Sequence, residues 1–119
     1  SRQYGRILNV SSIWGTISIP QRASYSSSKF GLRGLTLAAA AELAKDNVLI
    51  NTISPGFTLT DLTKSILTAD KMAEITNRIP IKRMADPKEI SNVAVFLISD
   101  LNSYMSGQNI VVDGGFVGV

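Results

Sequence analysis

Two short apolar runs of strand length, kept apart by a long stretch with helical character, limit the fold more than any other feature of this chain. The first is Arg6-Ile-Leu-Asn-Val10, continuing to Ser11; the second runs from Val48 to Ile53. Both read as buried strands. Between them, Trp14 to Arg22 carries Gly15 and Pro20, which suit a loop, and a helix is expected from about Ala23 to Lys45. Asp46-Asn47 is a turn signal. A second helix has a clear start: Asp86 can cap, Pro87 fits the first helical position, and Glu89 can reach back from the third. Ile90, Val93, Ala94, Leu97 and Ile98 keep helical spacing to about Ser99. A loop over 100–107 and a last strand from Gln108 to Asp113 complete the chain. Thr58 to Arg78 has broken apolar spacing and reads as short helices. Strands separated by long helices imply right-handed crossovers and a parallel sheet covered by helices, an α/β fold. Ligands of such sheets bind at the carboxyl ends of the strands, where Ser12 and Pro55-Gly56 both fall.

Length and composition narrow the function. The 119 residues suit one domain, and 45% hydrophobic with 18% charged residues is ordinary for a globular protein. The chain has no Cys and no His. That excludes disulfides, thiolate and imidazole metal sites, and any Ser-His-Asp or Cys-His triad, so no metal site is expected. Cysteine-free composition is compatible with the cytoplasm. The net charge of +3 comes from scattered basic residues, the closest pair being Lys82-Arg83. No basic stripe with interleaved aromatics is present, so no nucleic-acid partner is expected. No apolar run approaches the ~18 residues of a membrane span, so no membrane partner is expected either.

The chemistry concentrates between Ser12 and Lys29. Tyr25 and Lys29 are four apart and share a helix face. Ser12, thirteen residues before Tyr25, follows the first strand. A free tyrosine ionises near pH ~10, and an ammonium group one turn away favours the phenolate. Tyr25 is then suited to general acid/base work, and Ser12 to hydrogen-bonding a substrate oxygen. Such a trio suits reduction of a carbonyl, or oxidation of an alcohol, by a hydride donor. Trp14 either lines the substrate pocket or covers the core as a loop aromatic.

Asn9-Val-Ser-Ser12 followed by Tyr25-Ser-Ser-Ser-Lys29 resembles the active-site segment of the short-chain dehydrogenase/reductase family. Asn51-Thr-Ile-Ser-Pro-Gly56 and the ending Gly107-Gln-Asn-Ile-Val-Val-Asp-Gly-Gly115 resemble two further landmarks of that family, in the same order. The resemblance runs from about Gly5 to Gly115. It implies that residues 1–119 are the C-terminal half of a doubly wound, Rossmann-like parallel-sheet domain. The glycine-rich turn that holds the cofactor pyrophosphate belongs to the family's N-terminal half, which is absent from this sequence. The chain is therefore expected to be a fragment, a cleaved product or the ordered part of a longer protein.

The family pattern implies roles by position. Tyr25 exchanges the proton with the substrate oxygen, contacting the substrate and, with Lys29, Pro55 and Gly56, the cofactor. Lys29 favours the Tyr25 phenolate and binds the nicotinamide ribose. Ser12 positions the substrate, and Trp14 is a candidate neighbour. The family's fourth polar residue, an Asn on the preceding helix, lies outside this chain. After Pro55-Gly56, Thr58 offers its backbone and Thr60 its hydroxyl to the nicotinamide carboxamide; read without the resemblance, Pro-Gly is a turn and the threonines are surface polar groups. The implied cofactor is NAD or NADP, a choice usually made in the half not present. The Pro-Gly-Phe segment and the Val-Val-Asp-Gly-Gly ending look most like the 3-oxoacyl-acyl-carrier-protein reductase branch. Residues 58–78 correspond to the family's substrate loop.

Phe30, Leu32, Leu35, Leu37 and Leu43 are expected to supply the apolar contacts of the 23–45 helix. Gly31, Gly34 and Ala38 to Ala41 make its surface small. That suits either packing on the sheet or a subunit interface, and the family commonly pairs this helix in homodimers and homotetramers. Two other functions remain open. One is a catalytically inactive relative serving as a binding or assembly subunit. The other is a hydrolase using Ser12 with Lys29 as base, although no nucleophile elbow surrounds Ser12.

Overall fold

The computed structural model describes residues 3–118, so residues 1, 2 and 119 of the expected domain lie outside it. Strand β1 (Gly5–Val10) leads through a 3-10 turn (Ile13–Gly15) to helix α1 (Ala23–Leu43). Strand β2 (Val48–Pro55), helices α2 (Asp61–Ile66), α3 (Ala69–Arg78) and α4 (Pro87–Ile98), and strand β3 (Asn109–Val112) follow. The sheet is parallel, in the order β1-β2-β3. Its register pairs Ile7 with Ile50, Val10 with Ile53, and Ile53 with Ile110. β2 is central and buried from Leu49 to Ser54; Leu49, Ile50 and Ile53 are its apolar part, while the polar Asn51, Thr52 and Ser54 are hydrogen-bonded to Met105, Thr36 and Asn109.

The second strand, expected over Val48 to Ile53, extends through Pro55, which pairs with Val112. The ladder permits this because donors alternate between edges. Thr52 N–H donates to Gln108 O at 2.8 Å and Gly56 N–H to Val112 O at 2.9 Å. The donor that Pro55 lacks would face the opposite side, where β1 has already ended.

Helix α1 ends at Leu43, and a 3-10 turn (Ala44–Asp46) finishes the expected span. Of its apolar residues, Phe30, Leu35 and Leu37 stand exposed. The face toward the sheet is instead Ser26, Thr36 and Ala40, all buried. Thr36 Oγ1 accepts from Asn9 Nδ2 at 2.9 Å and from Thr52 Oγ1 at 2.8 Å, and donates to Leu32 O at 2.8 Å. One hydroxyl thereby joins both neighbouring strands to the helix with every bond satisfied.

Asn9 and Thr52 face α1, whereas Val10 and Ile53 face α4. The two long helices therefore cover opposite faces. Because β1, β2 and β3 are parallel and step in one direction, the two crossovers have opposite hands. This corrects the expectation of uniformly right-handed crossovers. Residues 56–86 carry the chain from one face to the other. The apolar cluster lies at the carboxyl ends of the strands, around buried Ile13, Ile79, Met84 and Phe116. No helix among the described residues is long and apolar enough to cross a membrane. None of them form a cluster of metal-binding side chains.

Candidate active site

The end of β1 and the 3-10 turn after it are stapled to the N-terminal half of α1. Lys29 Nζ donates to Val10 O at 3.1 Å, Ser11 Oγ to Lys29 O at 3.3 Å, and Arg33 Nη1 to Gly15 O at 3.2 Å. The helix approaches so closely that a Cβ on Gly15 would lie 2.5 Å from Ser11 Oγ and 2.9 Å from Lys29 Cβ. The same lysine ammonium sits 5.5 Å from the centre of the Tyr25 ring. Tyr25 is 45% exposed, and no hydrogen bond engages its hydroxyl among the described residues. The structure thus brings Tyr25 and Lys29 together beside the last carbonyl of β1.

Ser12 follows two residues after Val10 and caps the 3-10 turn, its Oγ accepting from Trp14 N–H at 3.2 Å. Its hydroxyl proton has no partner among the described residues, and no hydrogen bond joins it to Tyr25. Trp14 packs edge-on against Phe57 and Phe116, with ring centroids 6.2 and 6.4 Å away. It is partly buried, at the margin of the apolar cluster.

Val10, Pro55, Thr58 and Thr60 meet Ile90 and Ala94 of α4 around an open, mostly apolar groove of about 310 Å³. Gly56 lies so close to β3 that a Cβ would come within 2.8 Å of Asp113 Cβ. Thr58 forms a parallel bridge with Ala85. In it Leu59 N–H donates to Ala85 O at 2.8 Å and Ala85 N–H to Phe57 O at 3.0 Å. Such a bridge uses the flanking groups and leaves the N–H of the bridging residue itself pointing the other way. Thr58 N–H accordingly has no acceptor among the described residues, while Thr58 O accepts from Thr63 Oγ1 at 3.1 Å. Thr60 caps α2, its Oγ1 accepting from Thr63 N–H at 3.1 Å.

One ion pair borders this region. Arg83 forks onto Glu89, with Nη1–Oε1 at 2.6 Å and Nη2–Oε2 at 2.9 Å. The guanidinium first, and the Asp86 N–H second, hold the Glu89 carboxyl at about 2. Its ionised form therefore favours the folded chain above its ordinary value of 4.5, and that contribution is lost only as pH falls through about 2.

The open, mostly apolar groove beside the unpartnered Thr58 N–H fits, in its chemistry, a flat and largely apolar ring that bears one amide. The family model described as enoyl-(acyl carrier protein) reductase matches residues 1–117. The chain is 41% identical over 114 residues to the 3-oxoacyl-acyl-carrier-protein reductase of Aquifex aeolicus, covering 96% of this chain and 46% of the relative.

This chain belongs to the short-chain dehydrogenase/reductase family.

It is also 42% identical over 114 residues to the acetoacetyl-CoA reductase of Allochromatium vinosum, again covering 96% of this chain and 46% of the relative. The solved gluconate 5-dehydrogenase of Burkholderia cenocepacia, in complex with NADP and tartrate, superposes with a TM-score of 0.91 at 28% identity. The match covers 99% of this chain and 47% of that one. The chain spans about half the length of the curated relatives it matches, so the fold seen here is a Rossmann-like part of a short-chain dehydrogenase/reductase domain. Two contributors escaped the sequence reading. Gly15 carried a signal, a glycine within a loop, but not its contact with Lys29. The Arg83–Glu89 fork joins the segment before α4 to the third residue of that helix and leaves no periodic trace.

Proposed function

We propose that the polypeptide carrying residues 1–119 is an NAD(P)-dependent oxidoreductase interconverting a carbonyl and a secondary alcohol. The observation that carries this reading is Lys29, whose ammonium lies between the Val10 carbonyl and the Tyr25 ring. Tyr25 delivers its hydroxyl proton to the substrate oxygen during reduction and takes it back during oxidation. Lys29 favours the phenolate that remains and is placed to meet the nicotinamide ribose. Ser12, with its hydroxyl proton free, donates to the same substrate oxygen and holds it against Tyr25. Pro55, Gly56, Thr58 and Thr60 line or shape the groove that receives the nicotinamide, with the Thr58 N–H for its carboxamide. Bound NAD(P) supplies or accepts the hydride.

A 3-oxoacyl thioester is the proposed substrate, supported by the relatives from Aquifex aeolicus and Allochromatium vinosum. The exposed Phe30, Leu35 and Leu37 of α1 support a homo-oligomer, dimer or tetramer, formed through that helix. The proposed setting is the cytoplasm.

The test is Tyr25→Phe in the intact polypeptide. Turnover with NADH or NADPH should fall by roughly 10²–10⁴-fold, with unchanged nucleotide binding and an unchanged melt. Turnover equal to the parent's would overturn the assignment. If the parent binds nucleotide but turns over no carbonyl or alcohol, the chain is instead the inactive binding relative.

A further inference from the structure

The chain leaves the sheet at Gly56 and reaches α4 at Asp86, and the excursion between them carries α2 and α3. The mouth of the excursion is narrow. It is closed by the two hydrogen bonds that Ala85 makes to Phe57 and Leu59, so Ala85 sets where the Thr58 backbone lies. Ala85 in turn sits between the members of one polar node. Glu89 Oε1 accepts from Arg83 Nη1 at 2.6 Å and also from Asp86 N–H at 3.0 Å. Asp86 Oδ1 accepts from Lys88 N–H at 2.8 Å. One carboxylate thereby ties residue 83, residue 86 and the first turn of α4 into a unit around Ala85.

Helix capping uses only Glu89 Oε1. Oε2 is held by Arg83 alone, at 2.9 Å, so the bidentate fork is additional to the cap. Such forks fix geometry better than a single charged contact does. Side-chain exposure of 53% and 43% for Arg83 and Glu89 means the pair adds little to overall stability. Its effect is therefore to be read at the site rather than in the melt.

We propose that the Arg83–Glu89 fork positions the nicotinamide-binding segment, fixing Ala85 and through it the Thr58 N–H that faces the cofactor. Arg83 and Glu89 are positioning residues acting through Ala85. The inference rests on the oxidoreductase reading above.

Arg83→Met in the intact polypeptide removes the fork and leaves the Glu89–Asp86 cap. Nucleotide Kd and KM should rise roughly tenfold, short of the ~100-fold that a full 1 Å misplacement can cost. The melt should move little, and protease cleavage within residues 60–82 should quicken. Arg83→Lys, which keeps the charge but not the fork, should recover only part of the affinity. Unchanged Kd and KM in Arg83→Met would overturn the proposal. So would a loss of affinity in step with a lowered melt in both variants. Failure of the parent to bind NADH and NADPH is a separate result, and it would overturn the oxidoreductase reading and this proposal together.

Discussion

A single methyl group at Gly15 has no room. Its contacts would be Ser11 Oγ at 2.5 Å, Lys29 Cβ at 2.9 Å and the Lys29 carbonyl carbon at 3.1 Å. The serine can rotate away, but the Lys29 backbone belongs to the second turn of a 21-residue helix and cannot yield alone. Gly15→Ala should therefore push the start of α1 off the end of β1, carrying Tyr25 and Lys29 with it. Turnover in the intact polypeptide should drop roughly 100-fold, the cost of misplacing reacting groups by about 1 Å. The loss should appear mainly in kcat, measured at saturating nucleotide; an unchanged kcat would show that the contact relaxes without moving the site. The sequence makes Tyr25 and Lys29 readable because four-residue spacing on a helix is a local property. The role of Gly15 depends on which backbone passes in front of it, and no local pattern encodes that.

The same division appears at the scale of the elements. The capping box of α4 is local, and it forms as its residue types predict, with Asp86 and Glu89 each satisfying the other's backbone. The buried face of α1 is not local. Its apolar residues are scattered around the axis, so periodicity does not single out the sheet-facing side. The three hydrogen bonds at Thr36 show that side to be the polar one. Thr36→Val keeps the shape but strands Asn9 Nδ2 and the Thr52 hydroxyl in a buried layer. Leaving such groups unpaired costs about 1–3 kcal/mol each. Denaturant melts of the intact variant should show a loss of at least the lower figure. A neutral result would mean that water or rotamer changes satisfy both partners. Crossover hand escaped the sequence as well, because residues 56–86 carry no strand or long helix to indicate which face they turn toward.

At the scale of the whole molecule, the chain is long for its mass. Its radius of gyration is 15.8 Å, against about 13.5 Å for a compact domain of this length. The sheet has three strands, and among the described residues the outer edge of β1 pairs with nothing. Ile7 and Val10 on that strand, Leu35 and Leu37 on α1, and Val95 and Ile98 on α4 are all exposed. An unpaired strand edge beside apolar surface on both layers favours association with other chains. Residues 1–119 produced alone should melt broadly, bind a hydrophobic dye and associate as concentration rises. Any further chain that pairs the β1 edge and covers these side chains should abolish all three behaviours. Calorimetry and sedimentation of the segment at several concentrations decide the matter. A sharp, cooperative melt of a dye-free 12.8 kDa monomer would show that three strands and two covering helices suffice, and that the exposed apolar residues need no further cover.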